Sequence, residues 1–181
     1  STRVRSSAAS DVYKRQTKAS VMGDYVASKL GMDTGEVPVY MALFTKYEGY
    51  MLFIFENGKA AKVPLTAYAT TSNRRKLTGA YSDKSPLACI RRLDEDCELA
   101  VYSNEPRCLI FHTALLAPKT TRSAQGVAVM TLKKKATLRD AVLLTQSGIV
   151  NESRYRTKTI PSAGALLKEE DSAEKQQTFE V

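Results

Sequence analysis

The feature that most constrains the fold is a unit of short apolar segments, an asparagine turn and a polar basic loop that occurs twice. In the first copy, residues 52–55 form an apolar run, Asn57-Gly58 suits the two positive φ angles of a tight hairpin, and residues 60–65 return as a second strand. A shift of 47 residues aligns nine positions of like character, including Asn57 with Asn104 and Gly79 with Gly126. We therefore expect one structural unit used twice.

Units of this length, made of short strands, are typical of radially repeated β-sheet blades. Helical repeats are disfavoured because the apolar runs are short and alternate with Gly, Pro and Asn turns. The predicted fold class is all-β, a propeller-like array of four-stranded blades that is incomplete and holds about three to four blades' worth of chain. The expected divisions are a remnant blade at residues 17–50, blades at 51–96 and 97–143, and a degenerate blade at 144–167. Further strands are expected at residues 39–45, 88–93, 98–102, 127–132 and 141–144, and one helical turn at residues 25–30.

The two ends of the chain differ in composition from its middle. Residues 1–16 lack periodicity and resemble translated sequencing-adapter DNA, so we expect a non-native, disordered segment and a natural chain that began further upstream. Residues 168–181 are charged and poor in apolar side chains, which predicts an acidic disordered tail.

Charge is distributed unevenly along the chain, whose formal net charge is +8. Residues 165–181 contain two bases and five acids, whereas residues 17–164 contain 21 bases and 13 acids. A basic body with an acidic tail is typical of a polyanion-binding protein whose tail competes for the same surface. A solvated cationic surface without a ligand is the alternative interpretation.

Basic side chains recur in the long loop ahead of the glycine of each unit. Because equivalent loops of a radial array lie on the same rim, these clusters predict a curved track that contacts DNA phosphates with little reading of base sequence. The candidate DNA-binding residues, including a lysine turn after the second loop, are Arg74, Arg75, Lys76, Lys119, Arg122, Lys133, Lys134, Lys135, Arg154, Arg156 and Lys158.

Catalytic and metal-binding patterns are scarce in this sequence. His112 is the only histidine and lies in an apolar segment, so we expect a packed or rim residue. Cys89, Cys97 and Cys108 are too few and too irregularly spaced for a disulfide framework or a zinc site. The acidic residues at 94–98 are interpreted as a solvated turn, so no metal is expected. No segment approaches the roughly 18 apolar residues of a membrane helix, and no secretory signal is visible, which predicts a cytoplasmic protein without membrane contact.

Residues 55–87, FENGKAAKVPLTAYATTSNRRKLTGAYSDKSPL, together with Gly23-Asp24-Tyr25 upstream and PKTTRSAQGVAVMTLKKK downstream, carry a family resemblance. From Thr17 onward the chain resembles the C-terminal region of the A-type subunit of bacterial type IIA DNA topoisomerases, the family of DNA gyrase and topoisomerase IV. The resemblance implies a β-pinwheel whose basic rim binds and bends or wraps duplex DNA, within a heterotetramer of two A-type and two B-type subunits. It also implies that the catalytic tyrosine and the ATP and magnesium sites lie elsewhere, so that this chain alone is neither an enzyme nor a cofactor-binding protein.

One loop departs from the gyrase pattern. Gyrase carries the heptapeptide Gln-Arg-Arg-Gly-Gly-Lys-Gly, and residues 73–79 here, NRRKLTG, match it only at Arg74, Arg75 and Gly79. The departure leaves open a gyrase-like wrapping role and a topoisomerase IV-like role. A propeller-like protein-interaction module without DNA wrapping is the alternative function, and an autonomous enzyme is the third.

Overall fold

The fold is built mainly from two four-stranded antiparallel β-sheets in series along the chain, beside a two-stranded pair. The computed structural model describes residues 5–6, 25–43, 45–69 and 77–171. Its strands are β1 (Arg5–Ser6), β2 (Tyr50–Phe55), β3 (Lys59–Pro64), β4 (Leu77–Thr78), β5 (Leu87–Leu93), β6 (Glu98–Ser103), β7 (Arg107–His112), β8 (Val127–Ala128), β9 (Leu138–Leu143) and β10 (Ala165–Leu166). The α-helices are α1 (Val26–Leu30) and α2 (Glu152–Tyr155). The predicted all-β fold class with four-stranded sheets is confirmed.

Each sheet is centred on a hairpin whose turn the sequence identifies. Between β2 and β3, Gly58 has a φ of 84°, and the side-chain oxygen of Asn57 accepts the N–H of Lys59 at 3.2 Å. Between β6 and β7, the Asn104 side-chain oxygen accepts the N–H of Thr137 at 2.9 Å. The first asparagine closes its own turn, and the second attaches its turn to the residue that precedes β9.

Each sheet receives its fourth strand from a later stretch of the chain. The strand orders are β5-β2-β3-β8 and β10-β7-β6-β9. Although β8 follows β7 in sequence, it pairs with β3, placing Ala128 opposite Lys59. In the same way β10 pairs with β7, placing Ala165 opposite Cys108. Consecutive units are therefore joined by an exchanged edge strand, while the predicted boundaries at residues 96 and 143 stay a prediction.

Gly126 and Gly164 allow these exchanged strands to approach the sheets that they join. Their φ angles are 75° and 64°. A Cβ on Gly126 would overlap the carbonyl of Ala60, and one on Gly164 would lie 2.6 Å from the carbonyl oxygen of Cys108. Only glycine combines a left-handed backbone with such a close approach.

The register of the two hairpins relates the sheets by 48 residues. Tyr50 pairs with Pro64 in the first hairpin, and Glu98 pairs with His112 in the second. This spacing is one residue longer than the shift of 47 that aligns the sequence. Because successive strand residues point to opposite faces, one residue of register exchanges the two faces of every strand.

Because of this one-residue difference, the two sheets pack against each other through opposite faces. The core between them contains Leu52 and Ile54 of β2 together with Leu99 and Val101 of β6. With the spacing of 48, Leu52 corresponds to Ala100, which belongs to a separate cluster on the far face of the second sheet. Each sheet therefore uses one face toward its predecessor and the other toward its successor, as blades related by rotation do.

The two sheets converge at the edges formed by β5 and β9. Arg91 Nε donates to the carbonyl of Ala141 at 2.9 Å, and the Cys89 thiol lies 3.9 Å from the same oxygen. The opposite edges, formed by β8 and β10, are therefore the outer ones. The loops that lead into them, residues 116–126 and 156–164, run along the outside of the sheets, and we call them the second and third rim loops.

Several predicted strands differ from the structure. Residues 39–43 and 45, expected within a strand, have no assigned strand, and Val39, Met41 and Leu43 are 64%, 72% and 73% exposed. An isolated extended segment is not stable as a strand without a hydrogen-bonded neighbour, and the described residues supply none here. The strand expected at residues 127–132 shortens to β8, because the carbonyl of Gly58 accepts the next two N–H groups, those of Val129 and Met130.

Only part of each predicted disordered end is among the described residues. Arg5–Ser6 pair as β1 with β4. At the other end, Glu169–Asp171 form a 3₁₀ turn in which Asp171 is buried, so the first residues of the predicted acidic tail are ordered. The predictions for residues 1–4, 7–16 and 172–181 lie outside the described residues.

Replacing Gly126 with alanine should destabilise the protein more than replacing Gly79. Both residues have positive φ, so alanine at either position lowers the free energy of unfolding by roughly 1–2 kcal/mol through its left-handed backbone conformation. Only at position 126 does the new Cβ also overlap a carbonyl, whereas no described atom lies within 4 Å of one at position 79. Urea unfolding of the two variants measures the difference, and equal costs would contradict the close approach of β8 to β3.

Candidate nucleic-acid interface

The second rim loop holds Lys119 and Arg122 against the outer edge of the first sheet. The Lys119 N–H donates to the carbonyl of Lys62 at 2.7 Å. Arg122 lies near Tyr68, where burial raises the pKa of the phenol and the guanidinium charge opposes that rise. The Tyr68 hydroxyl in turn donates to the carbonyl of Ala80 at 2.8 Å. Both basic residues are half-buried, so their positions are fixed by the sheet beneath them.

The third rim loop repeats this attachment on the second sheet. The Thr157 N–H donates to the carbonyl of Ile110 at 2.8 Å, and Ile110 lies 48 residues after Lys62. Exposed Arg156 and Lys158 flank that attachment point. The two loops therefore join the preceding sheet at corresponding carbonyls and place basic residues at or beside them.

The charge of Arg156 is compensated within the protein. Its Nε and Nη2 atoms bind the two oxygens of Glu98 at 2.7 and 2.8 Å, and Nη2 also binds Glu152 at 2.9 Å. The hydrogen bond from Arg156 holds the pKa of Glu98 below its ordinary value. Arg154, two residues earlier and within α2, is exposed and has no ion pair with another described residue. Of these two arginines, Arg154 is the one whose charge is not compensated by any residue that the structure describes.

The lysine turn lies beside the hairpin turn of the second sheet. Lys133, Lys134 and Lys135 are all exposed, and Asn104 Nδ2 donates to the carbonyl of Lys135 at 3.4 Å. Asn104 follows the last residue of β6, whereas Arg156 binds Glu98 at the first, so the two zones are separated by the length of that strand, roughly 17 Å. The predicted basic residues thus form two zones rather than one line.

Some predicted residues lie outside the described part of the chain, and some basic residues were not predicted. Arg74, Arg75 and Lys76 lie outside the described residues. Lys59 was not predicted, yet its Nζ donates to Gln125 Oε1 of the second rim loop at 3.2 Å. Its position at the edge of the hairpin follows from the pairing of β8 with β3, which the sequence does not reveal. Exposed Lys84 and Arg139 are also basic residues without a local sequence cluster.

Asp171 anchors the segment that leads into α2. Its carboxylate accepts the N–H groups of Val150 and Asn151 at 2.7 and 3.2 Å and the hydroxyl of Tyr155 at 2.8 Å. Burial by itself would raise the pKa of Asp171, but these hydrogen bonds hold it below its ordinary value. The buried carboxylate therefore fixes the position of the helix that carries Arg154.

The described residues offer little other chemistry. No group of three His, Cys, Asp or Glu side chains among them is arranged to hold a metal ion. No helix in the described part of the chain is long and apolar enough to cross a membrane. His112 is exposed, and its Nδ1 accepts the N–H of Ala114 at 3.2 Å. The outer edge therefore offers cations and backbone groups for binding.

Stacked four-stranded sheets with exchanged outer strands define the class of this protein as a β-pinwheel, a propeller-like repeat domain. No protein-family model matches the sequence, and no curated protein does. Among solved structures, the chain is similar to the C-terminal domain of DNA topoisomerase IV, with a TM-score of 0.68 and 20% identity over 80% of this chain and 49% of that one. It is also similar to the C-terminal domain of DNA gyrase A, with a TM-score of 0.51 and 15% identity over 70% of this chain and 47% of that one.

The chain spans about half the length of each of these two domains. The resemblance predicted from the sequence, to the C-terminal region of the A-type topoisomerase subunit, is confirmed at the level of the fold.

Replacing Asp171 with asparagine should loosen the segment around α2, because an amide cannot accept all three hydrogen bonds as a carboxylate does. The same segment should loosen in acid. A carboxyl whose pKa is lowered by folding stabilises the fold above its unfolded pKa, and this stabilisation is lost as the pH falls through the lower folded value. Amide exchange of Val150 and Asn151, compared with a Glu169→Gln control at a neighbouring exposed site, measures both effects. Unchanged exchange in the Asp171 variant would contradict the anchor.

Proposed function

We propose that this chain binds duplex DNA along its outer edge and bends it, as an accessory domain of the A-type subunit of a type IIA topoisomerase. The observation that carries the proposal is the matched attachment of the two rim loops at the carbonyls of Lys62 and Ile110. Because the sheets stack by rotation, this match repeats basic loops along a curved outer surface. The fold likeness to C-terminal domains of topoisomerase IV and gyrase A supports the same function.

The contacts proposed here go to phosphates. Lysine and arginine side chains on loops neutralise backbone charge and release counterions, which gives affinity without sequence reading. Bending a site of 20–30 bp by 40–90° costs roughly 1–6 kcal/mol, which several phosphate contacts offset. Sequence preference would then follow the deformability of the DNA.

The proposed role places this domain within a larger bacterial, cytoplasmic enzyme that acts at the nucleoid and changes DNA topology, an isomerase. The remainder of the A-type subunit and the B-type subunit, in a heterotetramer of two copies of each, would supply the catalytic tyrosine, the ATP site and the magnesium site. This chain would present a curved DNA segment to them. Both a gyrase-like and a topoisomerase IV-like role fit the proposal, because residues 70–76, which contain most of the loop that distinguishes them, lie outside the described residues.

Binding of this chain to duplex DNA should be strongly salt-dependent. If six to ten phosphates are contacted, affinity should fall by roughly 10³–10⁵ between 50 and 200 mM salt. Fluorescence anisotropy with duplexes of unrelated sequence measures the slope. Arg74→Glu combined with Arg75→Glu should weaken binding to all of them alike, and a flat salt response would contradict the proposal.

Arg154 and Arg156 should contribute differently to DNA affinity. Arg154→Ala should weaken binding, because its charge has no partner among the described residues. Arg156→Ala should weaken it little, since two carboxylates already compensate that charge. Glu98→Gln should strengthen binding a few-fold by releasing the guanidinium toward phosphate. Anisotropy titrations of the three variants at one salt concentration test the order, and equal losses for the two arginine variants would contradict it.

A second candidate function is protein interaction, and the apolar segment at residues 37–43 favours it. Val37, Val39, Met41 and Leu43 are exposed at alternate positions of that segment. If this surface were the functional one, Met41→Ser with Leu43→Ser would abolish binding to the protein partner, while salt-dependent DNA binding stayed intact. The reverse result, with function lost only in variants that lose DNA binding, favours the DNA-bending role.

A further inference from the structure

Lys62 is a buried cation at the junction between the two sheets. Its side chain is 2% exposed and extends from β3 toward the second sheet. Nζ binds Asp96 Oδ1 at 2.7 Å and the carbonyl oxygen of Thr113 at 3.3 Å, and it lies 4.7 Å from the centre of the Tyr50 ring. A single ammonium group thus joins the first sheet to the open end of the β6–β7 hairpin. Asp96 lies just before β6 and Thr113 just after β7.

Its partners on the second sheet are themselves locked together. The Thr113 hydroxyl donates to Asp96 Oδ1 at 2.7 Å and accepts the N–H of Cys97 at 2.9 Å. The Thr113 N–H donates to the carbonyl of Cys97 at 2.8 Å. Lys62 therefore binds a rigid polar cluster whose position relative to the strands is defined.

The corresponding residue of the second sheet shows that packing alone does not require a lysine here. Ile110 lies 48 residues after Lys62, is fully buried and faces an apolar cluster. An ion pair with a buried lysine contributes little net stability compared with apolar side chains, because the ammonium group loses its hydration, although the Asp96 side chain stays 34% exposed. The ion pair instead restricts the orientation of the groups that it joins, since a short charge-assisted hydrogen bond tolerates only a narrow range of geometry.

Lys62 also connects the junction to the outer edge. Its carbonyl accepts the N–H of Lys119, the attachment point of the second rim loop. The same residue therefore contacts both the second sheet, through its side chain, and a basic loop, through its carbonyl. The curvature of the basic outer edge depends on the angle between the sheets.

We propose that Lys62 is a positioning residue that fixes the angle between the two sheets through Asp96 and Thr113, and thereby sets how far bound DNA is bent. The inference rests on the proposed DNA-bending function. Lys62 itself is buried and contacts no phosphate, so its loss should change the geometry of the complex rather than its affinity.

The test uses the full chain carrying Lys62→Met, which preserves the length and apolar stem of the side chain without the charge. Energy transfer between dyes at the two ends of a short duplex, at saturating protein, measures bending, while anisotropy measures affinity. We expect less energy transfer with an affinity within about twofold of the original, because no phosphate contact is removed. Asp96→Asn should act in the same direction. Glu105→Gln, which removes an ion pair with Arg107 inside the second sheet, should leave bending unchanged.

A DNA-free measurement separates this inference from the proposed function. Spin labels at two exposed sites, Asp83→Cys before β5 of the first sheet and Thr145→Cys after β9 of the second, report the distance between the sheets once Cys89 and Cys97 are replaced by alanine. Lys62→Met should broaden or shift that distance distribution. If the distance changes but the original chain does not bend DNA, the proposed function and its link to Lys62 fail while the junction role stands. If the original chain bends DNA and neither bending nor distance changes in a folded Lys62→Met variant, the inference is overturned and the proposed function stands.

Discussion

The pairing of exchanged edge strands holds the two units in series. A four-stranded sheet whose outer strand comes from the next unit cannot complete itself, so β8 joins the first sheet to the second unit and β10 joins the second sheet to the third. These strands are only two residues long, and their contribution depends on how closely they approach. Gly126 and Gly164 make that approach possible by placing bare backbone against a carbonyl of the preceding hairpin. The rim loops follow from the same constraint, because each must travel along the outer edge to reach its exchange site.

The one-residue difference between sequence repeat and structural repeat determines how the units assemble. If Leu52 and Leu99 were equivalent, the two sheets would meet through the same face and the pair would be closed by two-fold symmetry. With the spacing of 48, they are on opposite faces of equivalent strands, and further units can be added in the same sense. A rotational array with a curved outer edge is the consequence.

The sequence predicted the hairpins well because their signals are local. Asn57-Gly58 and the short apolar runs on either side of it determine a turn and two strands without distant partners. The exchanged strands and the segment at residues 39–45 were harder to predict from the sequence, because pairing across units decides whether an extended segment becomes a strand. The burial of Lys62 and the compensation of Arg156 were also invisible, because Asp96 and Glu98 lie 34 and 58 residues away in the chain. In sequence, both acids belong to an ordinary acidic turn.

That acidic turn changes how the basic residues of this chain should be counted. Two of its carboxylates bind cations from different places in the fold: Asp96 binds Lys62 of β3 inside the junction, and Glu98 binds Arg156 of the third rim loop at the surface. In the first pair the lysine side chain is almost fully buried, and the pair links the two sheets. The second pair holds the third rim loop on the second sheet. Net charge therefore overstates the number of cations available to phosphate. Under the proposed function, the cations left for a polyanion include Arg154 on α2, Lys158 in the third rim loop and the lysine turn.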